Sequence, residues 1–192
     1  MTLRLPKAEL PAELAQSMIK QLGLVPENVE VSWHSPRVTR DNLELGARVG
    51  AWDGVDPGLK SFAHMAVASQ VGCSWCLDVG YFQARNADLD LTKASQVPRW
   101  REAELFTPLE RDVMDYAEAM TNTPPTVTDA QYADLLDRLG AEAMVELTAF
   151  IAYVNLATRA NVANGVTSQG FSDACEIPLA RRPATSPAGS AA

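Results

Sequence analysis

Apolar positions along this chain recur at the three- and four-residue spacing of helices, and no run alternates convincingly as a strand would. Pro11 suits the first turn of a helix reaching Leu22, with Leu14, Met18, Ile19 and Leu22 on one stripe. Leu24 to Trp33 fits either a short helix or an extended stretch, ended by Pro36. Thr39 or Asp41 is the expected cap of a helix through Leu43, Leu45, Val49 and Trp52, and "DGVDPG" (53–58) reads as a turn. Leu59 to Val71 forms an apolar helix stopped at Gly72, and another helix begins around Cys73 and runs to about Ala87. "LDLTKASQV" is a short helix or helical turn. In "FTPLERDVMDYAEAMTN", Thr107, Pro108 and Glu110 spell a capped helix start. Thr128 and Gly140 bracket the next helix, and Ala141 to about Asn164 is the longest. The expectation is all-α, with short loops.

Composition narrows the function classes. With 192 residues the chain suits one domain, and its net charge of −8 disfavours broad contact with nucleic acid or an anionic membrane, both of which need a positive protein surface. We expect no nucleic-acid partner and no membrane partner. The apolar segment from Ala143 to Val166 carries Glu146, Asn155 and Arg159, which favours a buried helix over a membrane span. The N-terminus has no continuous apolar run and does not resemble a secretory signal, so a cytoplasmic, reducing location is expected. "EIPLARRPATSPAGSAA" (176–192) is a Pro/Ala/Ser-rich tail after a single helical domain spanning residues 1–175, expected to stay out of the core.

The candidate chemistry lies in "ASQVGCSWCLDVGYFQA" (68–84), where Cys73 and Cys76 share one helix face at bridging distance. At a helix start, free N–H groups and the dipole favour a thiolate, and CxxC thiols there fall roughly one to five units below ~8.5. The second thiol can then resolve a sulfenic acid or mixed disulfide into a bridge. The other readings are a metal half-site or two small buried hydrophobes. Only Cys175, His34 and His64 remain as further ligands, at unsuitable spacing, so no metal is expected. No dinucleotide fingerprint occurs, and no cofactor is expected. An apolar helix, rather than a strand, precedes the pair, which argues against a thioredoxin-like fold.

The stretch "LKSFAHMAVASQVGCSWCLDVGYFQA" (59–84) resembles the alkylhydroperoxidase D-like, carboxymuconolactone decarboxylase family, and "ELTAFIAYVNLATRANVANGV" (146–166) resembles its late helix. The resemblance covers about residues 35–172, leaving a helical arm over 1–34. It implies an all-helical homo-oligomer, a trimer or hexamer, that reduces a small-molecule peroxide with a thiol reductant. It also implies that Cys76 attacks and Cys73 resolves, whereas the helix-start argument alone favours Cys73 as the more acidic thiol. The family's histidine four residues after the second cysteine is here Gly80. The peroxidase branch's histidine before that cysteine is Trp75, and its glutamate on the preceding helix is Ser61 or Phe62. His64, nine residues before Cys73, is the candidate substitute base.

Other residues carry two readings each. Asp78 orients a neighbour or, as we expect, merely caps and solvates the first turn. Trp75 and Tyr81 wall a pocket or belong to the core. Asn155 and Arg159 lie one turn apart on an apolar helix, where a guanidinium has to meet a carboxylate, a carbonyl cluster or a ligand; an ion pair at a subunit interface is expected, with a substrate anion as the alternative. His34 falls in a loop and Cys175 beside the tail, with no role expected. Two functions compete with a dithiol peroxidase or disulfide oxidoreductase: a lactone decarboxylase-like lyase, and a helical oligomer that binds a small ligand or senses redox state.

Overall fold

The computed structural model describes residues 2–173 and 175–183, and among them every regular element is helical. In chain order these are α1 (Ala12–Leu22), α2 (Glu27–Ser32), α3 (Pro36–Gly50), α4 (Pro57–Val71), α5 (Ser74–Asn86), α6 (Leu91–Gln96), α7 (Pro108–Thr121), α8 (Asp129–Leu139) and α9 (Ala141–Asn164). A 3₁₀ turn, Val97–Arg99, follows α6. The all-α expectation holds.

Helix α4 is the axis of the bundle, packed against α5, α7 and α9. Its sequence is apolar on nearly every side, as a helix surrounded by others must be. Ala63, Met65, Ala66 and Val67 have no exposed surface, and Met114, Leu147 and Ile151 meet them from α7 and α9 within one core. Asp56 accepts from the amides of Gly58 and Leu59, and Pro57 opens the helix without an orphaned donor. At the other end Gly72 adopts φ 78°, which lets the chain reverse directly into α5. Thr107 and Glu110 form the capping box read from the sequence.

Helix α3 departs from expectation. It starts at Pro36 rather than near Thr39 or Asp41, because proline tolerates the first helical position. Thr39 donates to the Ser35 carbonyl instead of capping. The helix ends at Gly50, short of Trp52.

Glu146 on α9 forms a largely buried ion pair with Lys60 on α4, Oε1 to Nζ at 3.0 Å. The same carboxylate accepts the amides of Gly54 (2.7 Å) and Val55 (3.2 Å), pinning the turn before α4. Burial works against its charge, but Lys60 and these amides prevail and hold Glu146 below the usual carboxylate range.

The first part of the tail lies on the helices. Leu179 packs against the core, the Ala180 amide donates to the Ser95 carbonyl (2.8 Å), and Arg182 donates to the Ser69 carbonyl (2.7 Å). An apolar side chain with paired backbone groups on either side explains why residues 176–183 depart from the expectation of a tail outside the core. The rest, 184–192, lies outside the described residues.

Candidate active site

Cys73 is the N-cap of α5, and its Sγ accepts the Cys76 amide at 3.2 Å. The two cysteines form a disulfide, with Cα atoms 5.3 Å apart. Both are shielded from solvent, at 0% and 2% exposure, among Ala68, Trp75, Leu77 and Val162. Cys76 Sγ accepts a hydrogen bond from Asn161 Nδ2 at 3.3 Å. Each sulfur therefore already has an N–H donor where a thiolate would need one.

Asn161 was missed in the sequence. The signal is an amide on an apolar helix, six residues beyond Asn155 and on a different face. Asn155 and Arg159, the polar residues that stand out on this helix in the sequence, lie elsewhere. Asn155 donates to Thr121 Oγ1 (3.0 Å), while Arg159 donates to Asn155 Oδ1 (3.3 Å) and to the Thr121 carbonyl (2.6 Å). These contacts close the C-terminal end of α7 and do not touch the disulfide. Within the chain, Arg159 forms no ion pair among the described residues.

His64 projects from α4 against Gly80 of α5. A Cβ built on Gly80 would stand 3.3 Å from both Cε1 and Nδ1 of His64 and 3.2 Å from Met65 Cγ. The imidazole thus fills the space that a side chain at residue 80 would take, one helical turn beyond Cys76. Apolar surroundings lower its pKa to about 4, so the ring is neutral at pH 7. It makes no hydrogen bond among the described residues, and its side chain is partly exposed.

Asp78 corrects the expectation of a solvated first-turn residue. It is 4% exposed and accepts six hydrogen bonds from residues 168–172. Burial alone would raise its pKa, but the donors, led by Ser172 and Ser168, overcome that and hold it below the ordinary value. A carboxylate there supplies the acceptors that a tight run of backbone N–H groups needs.

The loop that Asp78 holds lies over the start of α5. Gln169 accepts from Trp75 Nε1 (2.9 Å), and Phe171 meets the Trp75 ring edge-on with centroids 6.0 Å apart. Trp75 therefore stands beside the disulfide and is tied to the loop. Tyr81 does not wall a pocket: it is buried, and its hydroxyl donates to the Ile177 carbonyl at 2.6 Å. His34 bonds through Nε2 with the Pro6 carbonyl (2.9 Å), and Cys175 packs against the core beside Tyr81. No group of three or more potential metal ligands occurs among the described residues.

Known proteins resemble this chain in sequence and in fold. The model of the carboxymuconolactone decarboxylase family matches residues 36–119. The Uncharacterized protein YnjA of Escherichia coli (strain K12) is 35% identical over 127 residues, covering 66% of this chain and 68% of that protein. The chain belongs to the carboxymuconolactone decarboxylase family. Solved structures of the alkylhydroperoxidase D-like type share its fold. The debrominase Bmp8, bound as a cysteine-to-alanine variant to 2,3,4-tribromopyrrole, superposes with a TM-score of 0.78 at 18% identity, covering 91% of this chain and 96% of that one. An alkylhydroperoxidase AhpD core, a peroxidase-related protein from Ralstonia eutropha, gives a TM-score of 0.77 at 21% identity, covering 92% and 97%. In this family member the CxxC pair is present, and an imidazole packs against Gly80, one turn beyond Cys76.

Proposed function

We propose that the chain is a dithiol oxidoreductase of the alkylhydroperoxidase D type that reduces a small hydroperoxide through Cys76 and Cys73. One observation carries the reading: the two cysteines are bonded at the start of α5, with an N–H donor on each sulfur and an imidazole packed one turn away.

In the reduced protein the Cys76 thiolate attacks the terminal peroxide oxygen. The O–O bond breaks, and the leaving alkoxide takes a proton to become the alcohol. Cys76 is then a sulfenic acid; Cys73 gives up its proton, its thiolate displaces the hydroxyl, and the hydroxide takes that proton and leaves as water. The peroxide gains the two electrons that the dithiol loses. An external dithiol restores the pair by exchange through a mixed disulfide. His64, packed one turn from Cys76, is placed to relay a proton to the leaving oxygen through one water, and its lowered pKa makes the protonated ring a strong donor rather than a strong base. Asn161 orients Cys76 and stabilises its thiolate.

Self-association accompanies this reading. On the outward face of α9, Val145 and Leu156 are 67% and 49% exposed, and a helix apolar on all sides calls for a covering partner. A second copy of the chain supplies one.

The test is consumption of cumene hydroperoxide with dithiothreitol as reductant. Turnover in the wild type and its loss in Cys76→Ser is the expected result. Equal turnover in the wild type and Cys76→Ser would exclude the mechanism. If thiol alkylation leaves the oligomer and a bound ligand unchanged while no peroxide is consumed, the ligand-binding reading replaces it.

A further inference from the structure

Outside the cysteine site, one cleft brings together positive charge without a compensating carboxylate. It measures about 520 Å³, and its lining includes Arg4, Gln70, Val71, Asn122, Arg159 and Val162, with no acidic side chain. In a chain of net charge −8, such a surface is uncommon. Each arginine is tethered to the C-terminal end of a helix. Arg4 donates to the Ala163 carbonyl at 2.6 Å, and Arg159 donates to the Thr121 carbonyl at 2.6 Å. Helix ends hold cations in place, but these carbonyls occupy few of the five N–H donors on each guanidinium. Neither arginine forms an ion pair among the described residues.

The cleft adjoins the redox pair through shared residues. Val162 lines it and also packs against the cluster of Cys73 and Cys76. Val71, on the same lining, is two residues from Cys73, and the intervening Gly72 has open space where a Cβ would stand. Asn161, the donor to Cys76, directly precedes Val162.

We propose that this cleft is an anion subsite, in which Arg4 and Arg159 receive the carboxylate of the small molecule that exchanges electrons with the dithiol. This rests on the dithiol reading and adds a substrate class to it: carboxylate-bearing over neutral. A planar carboxylate suits the guanidinium forks, and its apolar remainder lies along Val71 and Val162 toward the sulfurs.

The test uses reduced protein on a Cys175→Ser background with two disulfide probes, anionic dithiobis(nitrobenzoate) and neutral dithiodipyridine. With either probe, a cysteine thiolate attacks the probe disulfide and releases one aryl thiolate. The other cysteine then displaces the second and closes the Cys73–Cys76 bond. Two protein thiols are oxidised and one probe is reduced. The quantity read is the ratio of the two rate constants, so a general loosening of the fold affects both and divides out. Arg4→Gln and Arg159→Gln are each expected to lower the ratio by about threefold or more at low salt, as loss of a steering charge should. A smaller change in both variants overturns the proposal. In the wild type, benzoate should slow the anionic probe and not the neutral one. Equal slowing, or none, overturns the proposal without relying on either variant. If neither probe oxidises the pair, the dithiol reading itself fails, and the subsite with it.

Discussion

Replacing His64 with glutamine tests whether a neutral, desolvated imidazole is built into the bundle. Glutamine is polar, of similar reach and does not titrate. In the folded wild type the His64 pKa is lowered from 6.5 to about 4 by burial. Between those values the unfolded chain binds more protons than the folded one, so stability rises with pH and is lost as pH falls from neutral toward 4. Linkage makes the loss from this one group about 2 kcal/mol between pH 7 and pH 5. That figure is a ceiling, because the ring keeps some contact with solvent. For a chain of this size it corresponds to a fall in Tm of about 4–8 °C. Asp78 and Glu146 also have lowered pKa values, and their stabilisation is likewise lost in acid. Both are present in either protein and cancel in the comparison. Thermal unfolding followed by circular dichroism at pH 7, 6 and 5 reads the effect. The wild type should lose several degrees more than His64→Gln over that range. Equal losses would refute a buried neutral imidazole against Gly80.

Asp78→Asn replaces an acceptor oxygen with a donor facing N–H groups; urea denaturation should show a loss of about 3 kcal/mol or more, with faster proteolysis at residues 168–172. Asn161→Leu removes the N–H donor to Cys76, so the thiol pKa should rise and single-turnover peroxide reduction at pH 7 should slow by about tenfold. An unchanged rate would deny Asn161 its role. Moving the imidazole back, as His64→Ala with Gly80→His, should restore turnover to about tenfold or more above His64→Ala alone, because the ring re-enters the same space from the opposite helix. Glu146→Gln leaves the buried Lys60 without its partner and should cost about 3 kcal/mol in chemical denaturation.

The helical architecture was legible in the sequence because its signals are local. Thr107 and Glu110, Thr128, Gly72 and Gly140 mark helix ends through hydrogen bonds within a few residues. Cys73 at the start of α5 was readable for the same reason. The rest of the site depends on contacts between distant segments. Asp78 looked like a solvated residue until residues 168–172 folded over it. Asn161 reaches Cys76 from another helix, and no spacing rule connects them. Gly80 read as a missing histidine, yet its lack of a side chain is what admits His64. Arg159 carried a signal of its own, a cation on an apolar helix, but its partner is a backbone carbonyl, which every sequence position offers.

The most direct test of the central claim is a single turnover. Fully reduced protein is mixed with one equivalent of cumene hydroperoxide, and the products are read by peptide mass spectrometry and by assay of the alcohol. The account predicts one equivalent of alcohol, loss of two thiols and a disulfide-linked Cys73–Cys76 peptide. In Cys73→Ser, a sulfenic acid should be trapped on Cys76. Reduced thiols and unconsumed peroxide in the wild type would contradict it.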